Sequence, residues 1–138
     1  MIILDTNVLS EPLKPVPAPT VLDWLDRQAP QTLYLTTINL AELLAGIEVL
    51  PPGRRRTELQ HALAIKILPL FEGRILSFDQ KAADAFARIN ANAQALGNPI
   101  SFADGAIAAI TSAQRFILAT RNVRDFKGAG IELINPWG

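Results

Sequence analysis

The chain has 138 residues, enough for one domain with a substantial core and too few for two of ordinary size, so a single domain over residues 1–138 is the expectation. Thirteen basic and thirteen acidic residues cancel, which excludes a global positive field and leaves any phosphate contact to a local patch or a metal. No cysteine is present, so disulfides and thiolate metal sites are excluded and a cytoplasmic location is the expectation.

The opening MIILDTN at residues 1–7 runs four apolar residues into an acid, the pattern of a buried parallel strand emerging at its carboxyl end. No basic segment precedes MIIL and apolar runs such as AIAAI are too short to span a bilayer, so neither export nor membrane insertion is expected. Thr6 can cap a short helix that Pro12 and Pro15 end, and residues 12–19 read as a connector. From about Thr20 an amphipathic helix sets Val21, Leu22, Trp24 and Leu25 against Asp23, Asp26 and Arg27. TLYLT at 32–36 predicts a second strand, and the helix at 39–50 is apolar around most of its circumference, which predicts burial before Pro51, Pro52 and Gly53 stop it.

A helix at 54–68 begins with Arg54, Arg55 and Arg56, unfavourable for its macrodipole, so these side chains serve solvation or a partner such as RNA. RILSF at 74–78 is the third strand, and Asp79 caps a long helix at 80–96. A helix at 101–114, strand FILAT at 116–120, a short helical stretch at 123–126 and strand GIELIN at 130–135 complete the alternation. Strands alternating with helices predict an α/β fold, a parallel sheet of four to five strands covered on both faces. With 49% hydrophobic residues, some apolar surface is left for a partner or a second copy. His61 has no neighbour at ligand spacing and reads as a surface or interface residue; Trp24 and Trp137 read as packing residues.

Three acids fall where such a fold binds ligands, just past a strand end or in the first turns of a helix. Asp5 ends the first strand, Glu42 lies in LAELLAG and Asp104 in SFADGAIAA. Each has a plain structural alternative, capping for Asp5 or a favourable place on a helix dipole for the others. Together they would repel unless a cation neutralised them, and all-oxygen donors point to Mg²⁺ or Mn²⁺ rather than zinc. The end of FILAT, at TRNVRDF, offers a fourth contribution from Asn122 or Asp125, with Thr120 beside them; Arg121 and Arg124 add positive charge that can meet phosphate.

The set LDTNVLSE, INLAELLAG, SFADGAIAA, ATRNVRDF and INPW resembles the PIN-domain family, specifically its VapC and FitB group of bacterial toxin ribonucleases, over essentially the whole chain. The resemblance implies a metal-dependent endoribonuclease, usually a homodimer, inhibited by a small antitoxin of VapB or FitA type that binds operator DNA. Carried over by position, Asp5, Glu42 and Asp104 are the metal-site acids, Thr6 and Asn7 their small polar neighbours. Some relatives carry Asp where this chain has Asn122, and Asp125 is the acid available there instead. A strand-end Asp also begins phosphatases of the haloacid dehalogenase type, but these need a second Asp where this chain has Asn7. Receiver domains need an acidic pair and a late lysine that are missing, and no glycine-rich phosphate loop occurs. The alternative from another class is a catalytically inactive module of the same fold that acts only by binding a protein.

Overall fold

The computed structural model describes residues 1–138. A parallel sheet of five strands runs through its centre in the order β3-β2-β1-β4-β5: β1 (Ile2–Leu4), β2 (Leu33–Thr36), β3 (Ile75–Leu76), β4 (Ile117–Ala119) and β5 (Glu132–Ile134). Ile3 pairs with Tyr34 of β2 on one side and Leu118 of β4 on the other, and Leu118 pairs in turn with Leu133. The connecting helices are α1 (Thr6–Ser10), α2 (Pro19–Asp26), α3 (Thr37–Glu48), α4 (Arg54–Ala62), α5 (Gln80–Ala95), α6 (Phe102–Gln114) and α7 (Val123–Phe126). None is long and apolar enough to cross a membrane.

Alternation along the strands divides the core in two. Leu4, Leu33 and Leu35 face one cluster with Val8, Leu43 and Leu63, so α1, α3 and the α4 segment cover that side. Ile3 and Leu118 face the other, with Ile89 of α5 and Ile107 and Ile110 of α6. Because both faces are covered, the strands are short continuous apolar runs, as in parallel sheets generally.

Chain order and spatial order part at the centre. From β1 the chain moves outward to β2 and β3, then returns to the other side of β1 for β4 and β5. The reversal lies between β1 and β4, and in open α/β sheets the crevice at the carboxyl ends of such a pair is where ligands bind. Asp5 and Thr120, the residues after β1 and β4, flank it.

Several boundaries differ from the sequence expectation for local reasons. Asp5, not Thr6, is the N-cap of α1, its carboxylate accepting the Thr6 amide at 2.9 Å. The expected connector at 12–19 starts inside a 3-10 turn, Glu11–Leu13, which tolerates Pro12 at its first turn. Strand β3 has two residues rather than five because β2, its only partner, ends at Thr36, and the Thr36–Leu76 pair is the last available. The helix expected at 54–68 is regular only to Ala62, widens over Leu63–Ile67 and tightens over Leu68–Phe71, where Pro69 has no amide hydrogen to continue the ladder. Helix α3 buries only Asn39, Leu43 and Ile47, and Leu44 on its outer side is 45% exposed, so its expected burial is corrected to one face. Sheet contact accounts for one stripe of this helix, and the apolar surplus stays on the surface.

Trp24 and Trp137 both pack against the first core cluster, as expected of them. On the other face Phe78, Phe86 and Phe102 form a tilted and edge-on trio, with centroids 5.1–6.0 Å apart. Gly105 admits this trio against α6, since a Cβ there would lie 2.8 Å from the Phe86 ring. Gly105→Ala is therefore expected to cost about 1–3 kcal/mol through overpacking, despite the better helix propensity of alanine. Urea unfolding at equilibrium checks this; a stabilised variant would show that the ring moves freely.

Candidate active site

Asp5 is 5% exposed, and its carboxylate is held from three directions. Oδ1 accepts the Thr6 amide at 2.9 Å and Nδ2 of Asn39 at 3.1 Å; Oδ2 accepts the Thr120 hydroxyl at 2.7 Å and, more loosely, Nδ2 of Asn7 at 3.4 Å. Such donors favour the charged form, yet burial outweighs them and pushes the carboxyl above its ordinary range, with a smaller push from the charge of Asp125.

Asn39 escaped the sequence reading. It is fully buried at the third position of α3, where it closes a reciprocal cap: its amide donates to the Thr36 hydroxyl at 3.0 Å, and its Oδ1 accepts the Thr36 amide at 3.2 Å. The other end of the same side chain donates to Asp5 and, at 3.2 Å, to the Thr6 hydroxyl. The Thr6 hydroxyl in turn donates to Glu42 Oε1 at 2.8 Å. One continuous chain of hydrogen bonds thus links Asp5, Asn39, Thr6 and Glu42. The available signal was Thr-x-x-Asn directly after a strand, a relative of the capping box that ordinarily means only a helix start.

Glu42 was expected amid apolar surroundings. It is instead exposed, because α3 turns it to the rim beside Thr6 while Leu43 and Ile47 take the core side. Asp104 is half-buried at the third position of α6, behind a Ser101 cap whose hydroxyl accepts the Asp104 amide at 3.1 Å. Its carboxyl is raised first by burial, then by the charges of Asp5 and Asp125, and slightly by Glu42, with Ser101 opposing. These four carboxylates therefore share one electrostatic neighbourhood, and none of them is in an ion pair with a basic side chain. No three acids or histidines are gathered tightly enough to enclose an ion directly.

At the end of β4 the two alternatives for a fourth group separate. Asn122 is exposed, and its amide donates to Thr120 at 3.0 Å. Asp125, in α7, is the one whose charge reaches both Asp5 and Asp104. Asn7 ties this loop to α1, accepting the Arg121 amide at 3.2 Å. The Arg121 guanidinium lies 5.1 Å from the Trp137 ring centroid, a cation–π contact that keeps it at the rim. Arg124 is exposed on α7. The three arginines of α4 diverge: Arg54 pairs with Glu58, Arg56 with Glu48, and Arg55 donates to the Leu13 carbonyl at 2.8 Å. His61 is exposed and far from this constellation in role.

A parallel sheet with acids converging at its switch point belongs to a known class of proteins, and comparison with it is direct. The PIN domain family profile matches residues 2–131, so the chain belongs to the PIN domain family. The chain is 46% identical over 137 residues to VapC ribonuclease Y4jK of Sinorhizobium fredii, covering 99% of this chain and 98% of the relative. It is 43% identical to toxin FitB of Neisseria gonorrhoeae, covering 99% of each. The solved structure of FitAB bound to a DNA fragment superposes with a TM-score of 0.96 at 41% identity, covering 100% of this chain and 96% of that one.

The raised Asp5 and Asp104 carboxyls fix the sign of a pH effect. Folded chains bind protons there that unfolded chains have released, so in chelator stability rises as pH falls from neutrality through the raised values, until the unfolded carboxylates protonate too. Asp104→Asn is expected to melt above the wild type at neutral pH under chelation, with the gap closing as pH approaches the ordinary carboxylate range. A gap independent of pH, measured by differential scanning fluorimetry, would refute the repulsion.

Proposed function

We propose that this chain is the toxin of a toxin–antitoxin pair and acts as a Mg²⁺- or Mn²⁺-dependent endoribonuclease. The observation that carries the reading is the buried Asp5 carboxylate at the switch point, sharing its neighbourhood with Glu42, Asp104 and Asp125 and lacking any basic partner. Four hard oxygen donors without a counter-charge suit a divalent cation. An ion of this kind takes few protein ligands and keeps several waters. Asp5, Glu42 and Asp104 would hold it, with Asp125 supplying the fourth charge and Asn122 a neutral oxygen beside it. When bound, the ion supplies water activation and charge neutralisation at a phosphodiester.

The chain's own side chains do the rest. Asn39, Thr120 and Thr6 hold Asp5 in one orientation and favour its charged form, while the Thr6 hydroxyl aims Glu42. Arg121, steadied by Trp137, and Arg124 provide positive charge for the RNA backbone near the acids. Arg54 and Arg56 already have carboxylate partners, which leaves Arg55 as the freer member of its run. The ribonuclease and toxin names of the two relatives support the activity, and the FitAB–DNA complex supports a partner that joins toxin to operator DNA. An antitoxin of VapB or FitA type would inhibit by covering the acidic rim with a basic side chain. The exposed apolar side of α3, at Leu44, suits a homodimer, and work in the cytoplasm fits these partners.

Purified wild-type protein is expected to cleave RNA only with Mg²⁺ or Mn²⁺, and Asp5→Asn to lose at least about 10²-fold in rate, the scale of a lost charge-stabilising group. Mn²⁺ should raise the melting temperature of the wild type and not of Asp5→Asn. Arrested growth on expression, relieved by Asp5→Asn, completes the toxin reading. A protein that cleaves no RNA and melts identically with and without Mn²⁺ is instead a binding module.

A further inference from the structure

Beside the acid cluster lies a second feature that none of the acids explains. A cleft of about 370 Å³ is lined by Thr6 and Glu42 of the acid network together with Lys14 and Arg55. That is the lower end of the size range of small-molecule sites, about 300–1,000 Å³. Apolar residues also line it, including Leu43, Ile47, Leu50 and Leu59.

We propose that this cleft is a nucleotide subsite, which takes the ribonucleotide next to the bond cut at the acid cluster and draws its outer phosphate to Arg55. The inference rests on the ribonuclease reading above. Three observations carry it. First, the cleft is continuous with the reactive rim, since Thr6 and Glu42, already joined by a 2.8 Å hydrogen bond, line it. Second, its charge is polarised. Lys14 is offset by Glu11 at 2.9 Å, whereas Arg55 has no carboxylate partner and is steadied by the Leu13 carbonyl with its remaining donors free. Alone in the run of arginines on α4, Arg55 lines this cleft. Third, a glycine borders the open space. Gly46 lies one turn after Glu42 on the same face of α3, and a Cβ there would meet nothing within 4 Å. Glycine in a helix interior costs about 0.8–1.0 kcal/mol against alanine, and no packing at this position demands it. Open space, an apolar wall for a base, and one guanidinium without a carboxylate partner match a nucleotide with its phosphate.

Gly46→Val fills the cleft and Arg55→Gln removes its cation; neither touches the Asp5 network. With an RNA oligonucleotide and Mg²⁺, both variants are expected to raise KM about tenfold with kcat nearly held, the scale of one lost charge-assisted hydrogen bond. Arg55→Gln should also lower the salt slope of RNA binding by about 0.7, measured by anisotropy in the Asp5→Asn background. Thermal melting checks that Gly46→Val folds, and Arg55→Gln, an exposed substitution, keeps the test valid if it does not. Wild-type KM and salt slope in both variants overturn the subsite while leaving the ribonuclease intact. If the two variants cleave RNA normally yet lose inhibition by the cognate antitoxin, the cleft is a peptide groove and the nucleotide assignment is wrong. Absence of cleavage by the wild type itself overturns the underlying reading instead.

Discussion

A carboxylate buried inside the protein and held by donors from three elements is the constraint on which the rest of this structure turns. Taking Asp5 out of water costs several kcal/mol, and only well-aimed donors can offset that. The fold provides them from separate places: the Thr6 amide at the start of α1, Asn39 in α3, and Thr120 after β4. Each hydrogen bond to a charged group is worth about 1.5–3 kcal/mol, so the set offsets part of that cost while burial still prevails and leaves the titration raised. Two of these donors sit 34 and 115 residues away from Asp5 in the chain, so the site exists only once β1, β2 and β4 lie side by side.

That arrangement also explains why the acids do not pair with bases. None of the lysines and arginines pairs with these acids: Arg121 lies over Trp137, Lys14 pairs with Glu11, and Arg55 spends one donor on a backbone carbonyl. Glu11 is itself buried, held below the usual carboxylate range chiefly by Lys14 and by the Ala18 amide, and it anchors the loop between α1 and α2. Negative potential therefore accumulates at one end of the sheet while positive groups stand around it. The charge is thus unevenly distributed, although the net charge of the chain is zero.

Much of this was readable beforehand. Strand and helix alternation follows from runs such as MIIL and FILAT, and the capping residue Asp79 marks where α5 begins. Where expectation and structure part, a neighbour made the difference. Burial on α3 was overestimated because composition cannot say that only one stripe of a helix meets the sheet. The third strand was overextended because its length depends on where β2 stops, not on its own residues. Asn39 looked like a helix-start residue, and it is one; its second role needs Asp5 across the sheet.

The sequence by itself determined the fold class, the acids at element ends and the hard-donor character of the site, since hydrophobic period and residue chemistry are local properties. Tertiary structure decided which strands adjoin, and so placed Asp5 and Thr120 on either side of one crevice. It also put Asp125 within electrostatic reach of Asp5 and Asp104, left Asn122 to the loop backbone, and turned Arg55 alone toward the cleft beside Glu42. Charge interactions and cavities arise between residues far apart in the chain, and only the packing of the helices on the sheet sets those distances.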